Sequence, residues 1–196
     1  IDTFVVHANP TLSQTGVTPV TGNNGDTFKW FTTYDQADGS WYDYIKVDIG
    51  GTEYAMVKND SGDFIPPVAI NYSKAMSGGT WSWHIHYKAQ WSIDLSTTPV
   101  NLVVNNAPSM ANYGLVPADP RYRNMLLNAT VTYTDVDNDA PTYVCFRFTS
   151  GGTLNLTMLP VTASDLTYSD GKAYYVTWYQ EHAAYNYEYA CSDGKK

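Results

Sequence analysis

The run Thr132–Phe148, "TYTDVDNDAPTYVCFRF", opens with a polar turn crowded with aspartate and closes on Val144, Phe146 and Phe148 at alternate positions. That alternation is the period of two expected of a strand with one dry face. A shift of 99 residues lays it over Thr33–Ile49, "TYDQADGSWYDYIKVDI". Tyr34 then falls on Tyr133, Asp38 on Asp137 and Tyr44 on Tyr143, while Ile45, Val47 and Ile49 fall on Val144, Phe146 and Phe148. The same turn and strand occur twice.

The duplication extends in both directions. With a shift of 98, "FVVHANPTLSQTGVTP" lies over "LVVNNAPSMANYGLVP", which sets Phe4, Val5 and Val6 on Leu102, Val103 and Val104, and Pro10, Gly16 and Pro19 on Pro108, Gly114 and Pro117. Downstream, Gly-Gly-Thr recurs at Gly50 and Gly151, and "WSWHIHYKA" and "YNYEYAC" alternate in step. A period near 99 residues suits one small sandwich rather than a solenoid repeat. The expected division is therefore 1–97 and 98–196, at "STTP", Ser96–Pro99. No segment holds a helical period, so the expected fold is all-β: two tandem antiparallel sandwiches.

Composition agrees. Of the 19 acidic residues only Glu53, Glu181 and Glu188 are glutamate; the rest are aspartate, which favours turns over helices. Tyrosine contributes 17 residues and suits half-buried pleated surfaces. A net charge of -8 with 11 Lys and Arg leaves no basic stripe for phosphates, which argues against nucleic acid as a partner. No apolar run approaches the ~18 residues of a membrane span, and no basic-then-apolar leader is visible, so no transmembrane segment is expected. The first residue is Ile1, which suggests a leader already removed and a secreted protein at or outside the cell surface. Four glycosylation sequons, at Asn59, Asn71, Asn128 and Asn155, point the same way.

The order Asn-Ala-Pro, Gly-x-x-Pro, "YTDVDNDAPTYV", a glycine turn and an aromatic strand ending "CSDGK" resembles the immunoglobulin-like repeats of archaeal and bacterial extracellular surface proteins. The resemblance spans nearly the whole chain and is stronger in the second copy. It implies immunoglobulin-like sandwiches in a surface layer, adhesin or filament, and supplies no catalytic residues.

Four groups of residues are candidate sites. Asp135, Asp137 and Asp139 stand at alternate positions, a spacing that can aim three carboxylates at Ca2+ or decorate a tight turn. The first copy keeps only Asp35 and Asp38 in that loop, so no cofactor is required by the fold. His84 and His86 share a strand face and offer two imidazoles, with no third zinc ligand at a telling spacing. Cys145 and Cys191 lie in strand-like runs of the second copy and form the candidate disulfide. Trp41, Trp81, Trp83, Trp91 and Trp178 either plug cores or stack on sugars, with Trp81 and Trp83 in register for a core and Trp91 placed for exposure.

Catalysis finds no support: there is no Gly-x-Ser-x-Gly elbow, no His-Glu-x-x-His and no phosphate loop, so the chain is not expected to be an enzyme. What remains is self-association. Each copy is preceded by an apolar extended segment, Thr3-Phe4-Val5-Val6 before the first and Asn101-Leu102-Val103-Val104 at the domain junction. Either segment is simply the first strand of its own sandwich, or Leu102–Val104 completes a sheet edge at the junction and Thr3–Val6 does the same for a neighbouring molecule. The second option builds a homopolymer or array, because a heterologous contact that does not close propagates. The expected function is a structural subunit of an extracellular filament or surface layer; the alternative is a carbohydrate-binding or adhesion module that meets surface glycans.

Overall fold

The computed structural model describes residues 7–39, 41–59, 67–118, 124–149, 154–180 and 186–195. Thr3, Phe4, Val5 and Val6, the expected assembly strand, lie outside them. Every regular element described is a strand, and none of the described segments is a helix long and apolar enough to cross a membrane.

The chain forms two compact units, Ile1–Asn105 and Asn106–Lys196. Unit 1 holds β1 (Thr11–Thr18), β2 (Thr21–Asn23), β3 (Thr27–Asp35), β4 (Tyr42–Ile49), β5 (Thr52–Ala55), β6 (Val57–Lys58), β7 (Val68–Ala75), β8 (Gly79–Ala89), β9 (Leu95–Ser96) and β10 (Val100–Asn105). Unit 2 holds β11 (Ser109–Val116), β12 (Met125–Thr134), β13 (Tyr143–Phe148), β14 (Leu154–Thr157), β15 (Leu159–Pro160), β16 (Lys172–Gln180) and β17 (Tyr187–Ser192).

In unit 1 one sheet runs β1-β3-β7-β6 and the other β2-β10-β8-β4-β5, with β9 beside β8. In unit 2 the sheets run β11-β12-β16-β15 and β14-β13-β17. These are the strand orders of immunoglobulin-like sandwiches, in which consecutive strands cross between two facing sheets. The alternation seen in sequence is the burial pattern: Ile45, Val47 and Ile49 face one core, Val144, Phe146 and Phe148 the other.

Local irregularities are duplicated along with the strands. β1 slips register between Ser13 and Gly16, and β11 between Ala111 and Gly114, with Gln14 and Asn112 at φ 50° and 52°. Glycine follows because the chain there passes directly under a cross-strand side chain: a Cβ on Gly16 would sit 2.9 Å from Phe31 Cζ, and one on Gly114 would strike Thr130. The peptide bonds Thr18–Pro19 and Val116–Pro117 are both cis.

The units part eight residues later than the repeat suggests, at Asn105 rather than at residue 97. The cause is β10. It pairs antiparallel with β8, Val100 opposite Trp83 through Val104 opposite Gly79, and parallel with β2. Leu102 and Val104 bury completely in the first core, while Val103 points outward. The apolar junction segment is thus the last strand of the first sandwich, not the first of the second.

Tyr34 and Tyr133 fill equivalent central positions, each fully buried. Burial, with Asp38 and Asp35 adding repulsion, pushes the Tyr34 phenol up to about 12, and burial does the same to Tyr174 and Tyr189. An unfolded phenol ionises near 10. The folded state therefore holds these protons more tightly, and its stability is complete below about pH 10 and falls as pH rises through about 12. Denaturant titrations across that window should show a steady loss; a flat profile would contradict this packing.

Candidate assembly site

The two units differ at one sheet edge. In unit 1, β8 is flanked on its outer side by β10, and Trp83 beneath is 4% exposed. In unit 2, β17 pairs with β13, and among the described residues no strand flanks its other side. Tyr187, which occupies the place of Trp83 when the paired strands are matched, is 45% exposed. The core of unit 1 draws Leu102 and Val104 from β10, and no described strand supplies the counterpart in unit 2. With no described strand beyond it, the outer edge of β17 leaves backbone donors and acceptors open as well as apolar surface.

The turn between β12 and β13 brings Asp135, Asp137 and Asp139 together, with one oxygen of each within 4.8 Å of the others. Each carboxylate also meets a donor from the chain. Asp135, fully buried, accepts the backbone N–H groups of Asp137 (2.9 Å) and Asp139 (3.2 Å) on Oδ1 and the Tyr133 hydroxyl at 3.4 Å on Oδ2. Asp137 accepts the backbone N–H of Asn106 at 2.6 Å and its side-chain amide at 3.1 Å. Asp139 pairs with the Lys195 ammonium, a contact that holds that lysine above its usual range.

The first copy explains which part is essential. Asp38 accepts the backbone N–H of Ala8 at 3.3 Å and His7 Nδ1 at 3.0 Å, just as Asp137 receives Asn106. Gln36 takes the buried place of Asp135 and donates to the Ala8 carbonyl at 2.5 Å. Gly39 and Asn138 turn the chain at φ 71° and 62°. The carboxylate present in both copies is therefore the one that clamps the chain where it enters each sandwich. Asp135→Ala should cost unit 2 roughly 1–3 kcal/mol by removing the acceptor of two part-buried backbone donors and of the buried Tyr133 hydroxyl. The loss should be equal in calcium and in chelator; a loss confined to calcium would reveal a bound cation.

Cys145 and Cys191 are free thiols. Cys145 stands opposite Ala190 and Cys191 opposite Val144, so the two are one register step apart and point to opposite faces of the sheet. Val144 and Cys191 face the core. The expected disulfide is absent for that reason, and burial raises the Cys191 thiol.

The imidazoles converge, His84 Nε2 lying 2.5 Å from His86 Nε2, while His86 Nδ1 meets Glu53 Oε1 at 2.9 Å and Lys46 holds the other Glu53 oxygen at 2.8 Å. The Lys46 hydrogen bond keeps the Glu53 carboxyl below its usual range, against a smaller opposing desolvation. Glu53 meets the ring nitrogen of His86 that faces away from His84, and among the described residues the pair belongs to no compact three-ligand cluster. Trp83 is core and Trp81 and Trp178 pack partly against cores, whereas Trp41 and Trp91 are 62% and 66% exposed. Of the sequon asparagines, Asn59 and Asn155 are exposed and Asn71 and Asn128 half-buried. The Asn128 side-chain carbonyl is buried without a partner among the described residues.

No protein-family profile and no curated protein sequence matches the chain. Solved structures that the chain matches include titin A168169 (7% identical, 94% of this chain and 97% of that one, TM-score 0.44). The fibronectin(III)-like modules of Clostridium thermocellum CbhA are 12% identical over 93% of this chain and 92% of theirs, TM-score 0.31. The Yersinia pseudotuberculosis adhesin InvE is 15% identical over 95% of this chain and 51% of its own, TM-score 0.31.

Proposed function

We propose that the chain is a structural subunit of an extracellular filament or surface layer, assembling head to tail without covalent bonds. Each molecule lends residues 3–6 as the missing strand beside β17 in the next. The observation that carries this is the fate of Leu102–Val104. In unit 1 that segment is the strand closing the sheet; its repeat counterpart, Phe4–Val6, precedes the first copy in sequence, and among the described residues no strand flanks the outer side of β17. Transferred residue by residue, Phe4 enters the core at the place of Leu102, Val6 at that of Val104, and Val5 points outward like Val103. Main-chain bonds along β17 add affinity, and the open edge is covered.

The partner under this reading is the protein itself. The low charge and tyrosine-rich surface suit lateral packing, and exposed Asn59 and Asn155 are available to carry sugar. The second reading, a carbohydrate-binding or adhesion module, draws support from the exposed indoles Trp41 and Trp91, since aromatic faces stack on sugar rings.

Negative-stain electron microscopy tests the first reading. Purified protein should form fibres or sheets, and removal of residues 1–6 should leave dispersed particles. Unchanged fibres after the deletion would overturn strand donation. Dispersed intact protein that binds a glycan array would favour the second reading.

A further inference from the structure

We propose that the tip of unit 1 bearing Trp41 and Trp91 is a contact surface for a second copy of this chain, packing on the end of that copy's unit 2 at Leu126 and Tyr179. The inference rests on the strand donation proposed above and identifies what else holds the junction together.

Chain continuity is the first reason. The His7 ring stacks on Trp91, centroids 6.2 Å apart and planes 24° from parallel, and Ala8 is clamped by Asp38 and Gln36. Successive Cα atoms stand about 3.8 Å apart. Once Val6 lies in the receiving sheet, the end of that sheet is one peptide unit from His7, and so beside Trp91. Trp41 belongs to the same tip, since its carbonyl accepts the backbone N–H of Gln90 at 3.1 Å.

The receiving end is located by unit 1. There β10 finishes at Asn105, whose carbonyl accepts the Asn24 N–H at 2.7 Å; the adjoining Gly25 N–H bonds the Met76 carbonyl at 2.7 Å, next to the paired residues Thr27 and Ala75. The matching pair in unit 2 is Leu126 opposite Tyr179, 52% and 66% exposed. A donated strand would leave unit 2 at that end.

The repeat provides the contrast. Trp41 and Trp91 correspond to Ala140 and Lys195 in unit 2, and Leu126 and Tyr179 to Thr27 and Ala75 in unit 1. Within the chain the peptide bond from Asn105 to Asn106 joins the units whatever their surfaces. Between molecules only non-covalent contact is available, and at these matched positions the aromatic and leucine side chains stand on the two ends that would meet only between molecules, although Val136 is also exposed at the tip of unit 2. Exposed Trp and Tyr are the residue types that dominate interface energetics.

The test uses full-length protein. A Phe4→Asp/Val6→Asp variant serves as an acceptor that cannot donate, and a synthetic peptide of residues 1–7 as a strand without a tip. The peptide should bind this acceptor and raise its Tm. In an otherwise native chain, Trp41→Ser/Trp91→Ser should raise the concentration needed for assembly about tenfold or more. The same Trp changes placed in the acceptor should leave its affinity for the peptide unchanged. Leu126→Ser/Tyr179→Ser should reproduce the assembly defect from the receiving side. Peptide binding with native-like assembly of the Trp variant overturns this surface alone. Failure of the peptide to bind overturns strand donation, and the surface with it. A glycan bound by the native tip and lost in the Trp variant, with assembly unaffected, would assign the tip to sugar instead.

Discussion

Leu102→Ala is expected to destabilise unit 1 by about 2–5 kcal/mol while leaving unit 2 untouched. Leu102 is 1% exposed and packs in the first core together with Val104, which is fully buried, so truncation removes apolar contacts from a site already closed by β2 and β8. Hydrogen exchange read by mass spectrometry assigns the effect to a unit. Protection should fall along β8, β4 and β3 and persist along β12 and β16. The neighbouring Val103→Ala, 56% exposed, is the internal control and should change stability little. If exchange instead accelerated in unit 2, the junction strand would belong to the second sandwich, and the missing-strand argument would fail.

The second large effect is expected from giving unit 2 a strand of its own. In unit 1 the connection from β8 to β10 spans residues 90–99. Extending the chain beyond Lys196 with a linker that restores this length, followed by a copy of Val100–Asn105, should let the added strand pair with β17 in the register of Val100 on Trp83. An intramolecular strand meets its edge at a high effective concentration and outcompetes one from another molecule. The extended protein should be monomeric by sedimentation, fail to form fibres, and melt at a higher temperature than the assembly-defective deletion of residues 1–6. Tyr fluorescence should also report the change, because Tyr187 would pass from partly exposed to covered. Persistent fibres would show that contacts other than the β17 edge drive assembly.

Much of this architecture is legible in the chain. Alternating Ile45, Val47 and Ile49, and their counterparts Val144, Phe146 and Phe148, announce strands because side chains in an extended chain point to opposite faces in turn. The paired turns announce duplication, and the structure repeats even the bulges at Gly16 and Gly114. The clamp by Asp38 and Asp137 was less visible. Its acceptor and donor lie 30 and 31 residues apart, and nothing in the local spacing distinguishes a carboxylate that binds backbone from one that awaits a cation.

Local pattern thus determined that the protein is built of strands, that it is built twice, and which residues face inward, since each of these depends on neighbours within a few positions. Pairing decided the rest. A tandem repeat has no phase of its own, so a segment lying between two copies can close the one before it or open the one after it; only the hydrogen bonds of β10 to β8 and β2 assign Leu102 and Val104 to the first sandwich. The thiols of Cys145 and Cys191 were likewise separated by a single step of register, a quantity set by which strands meet across the sheet and not by the residues themselves.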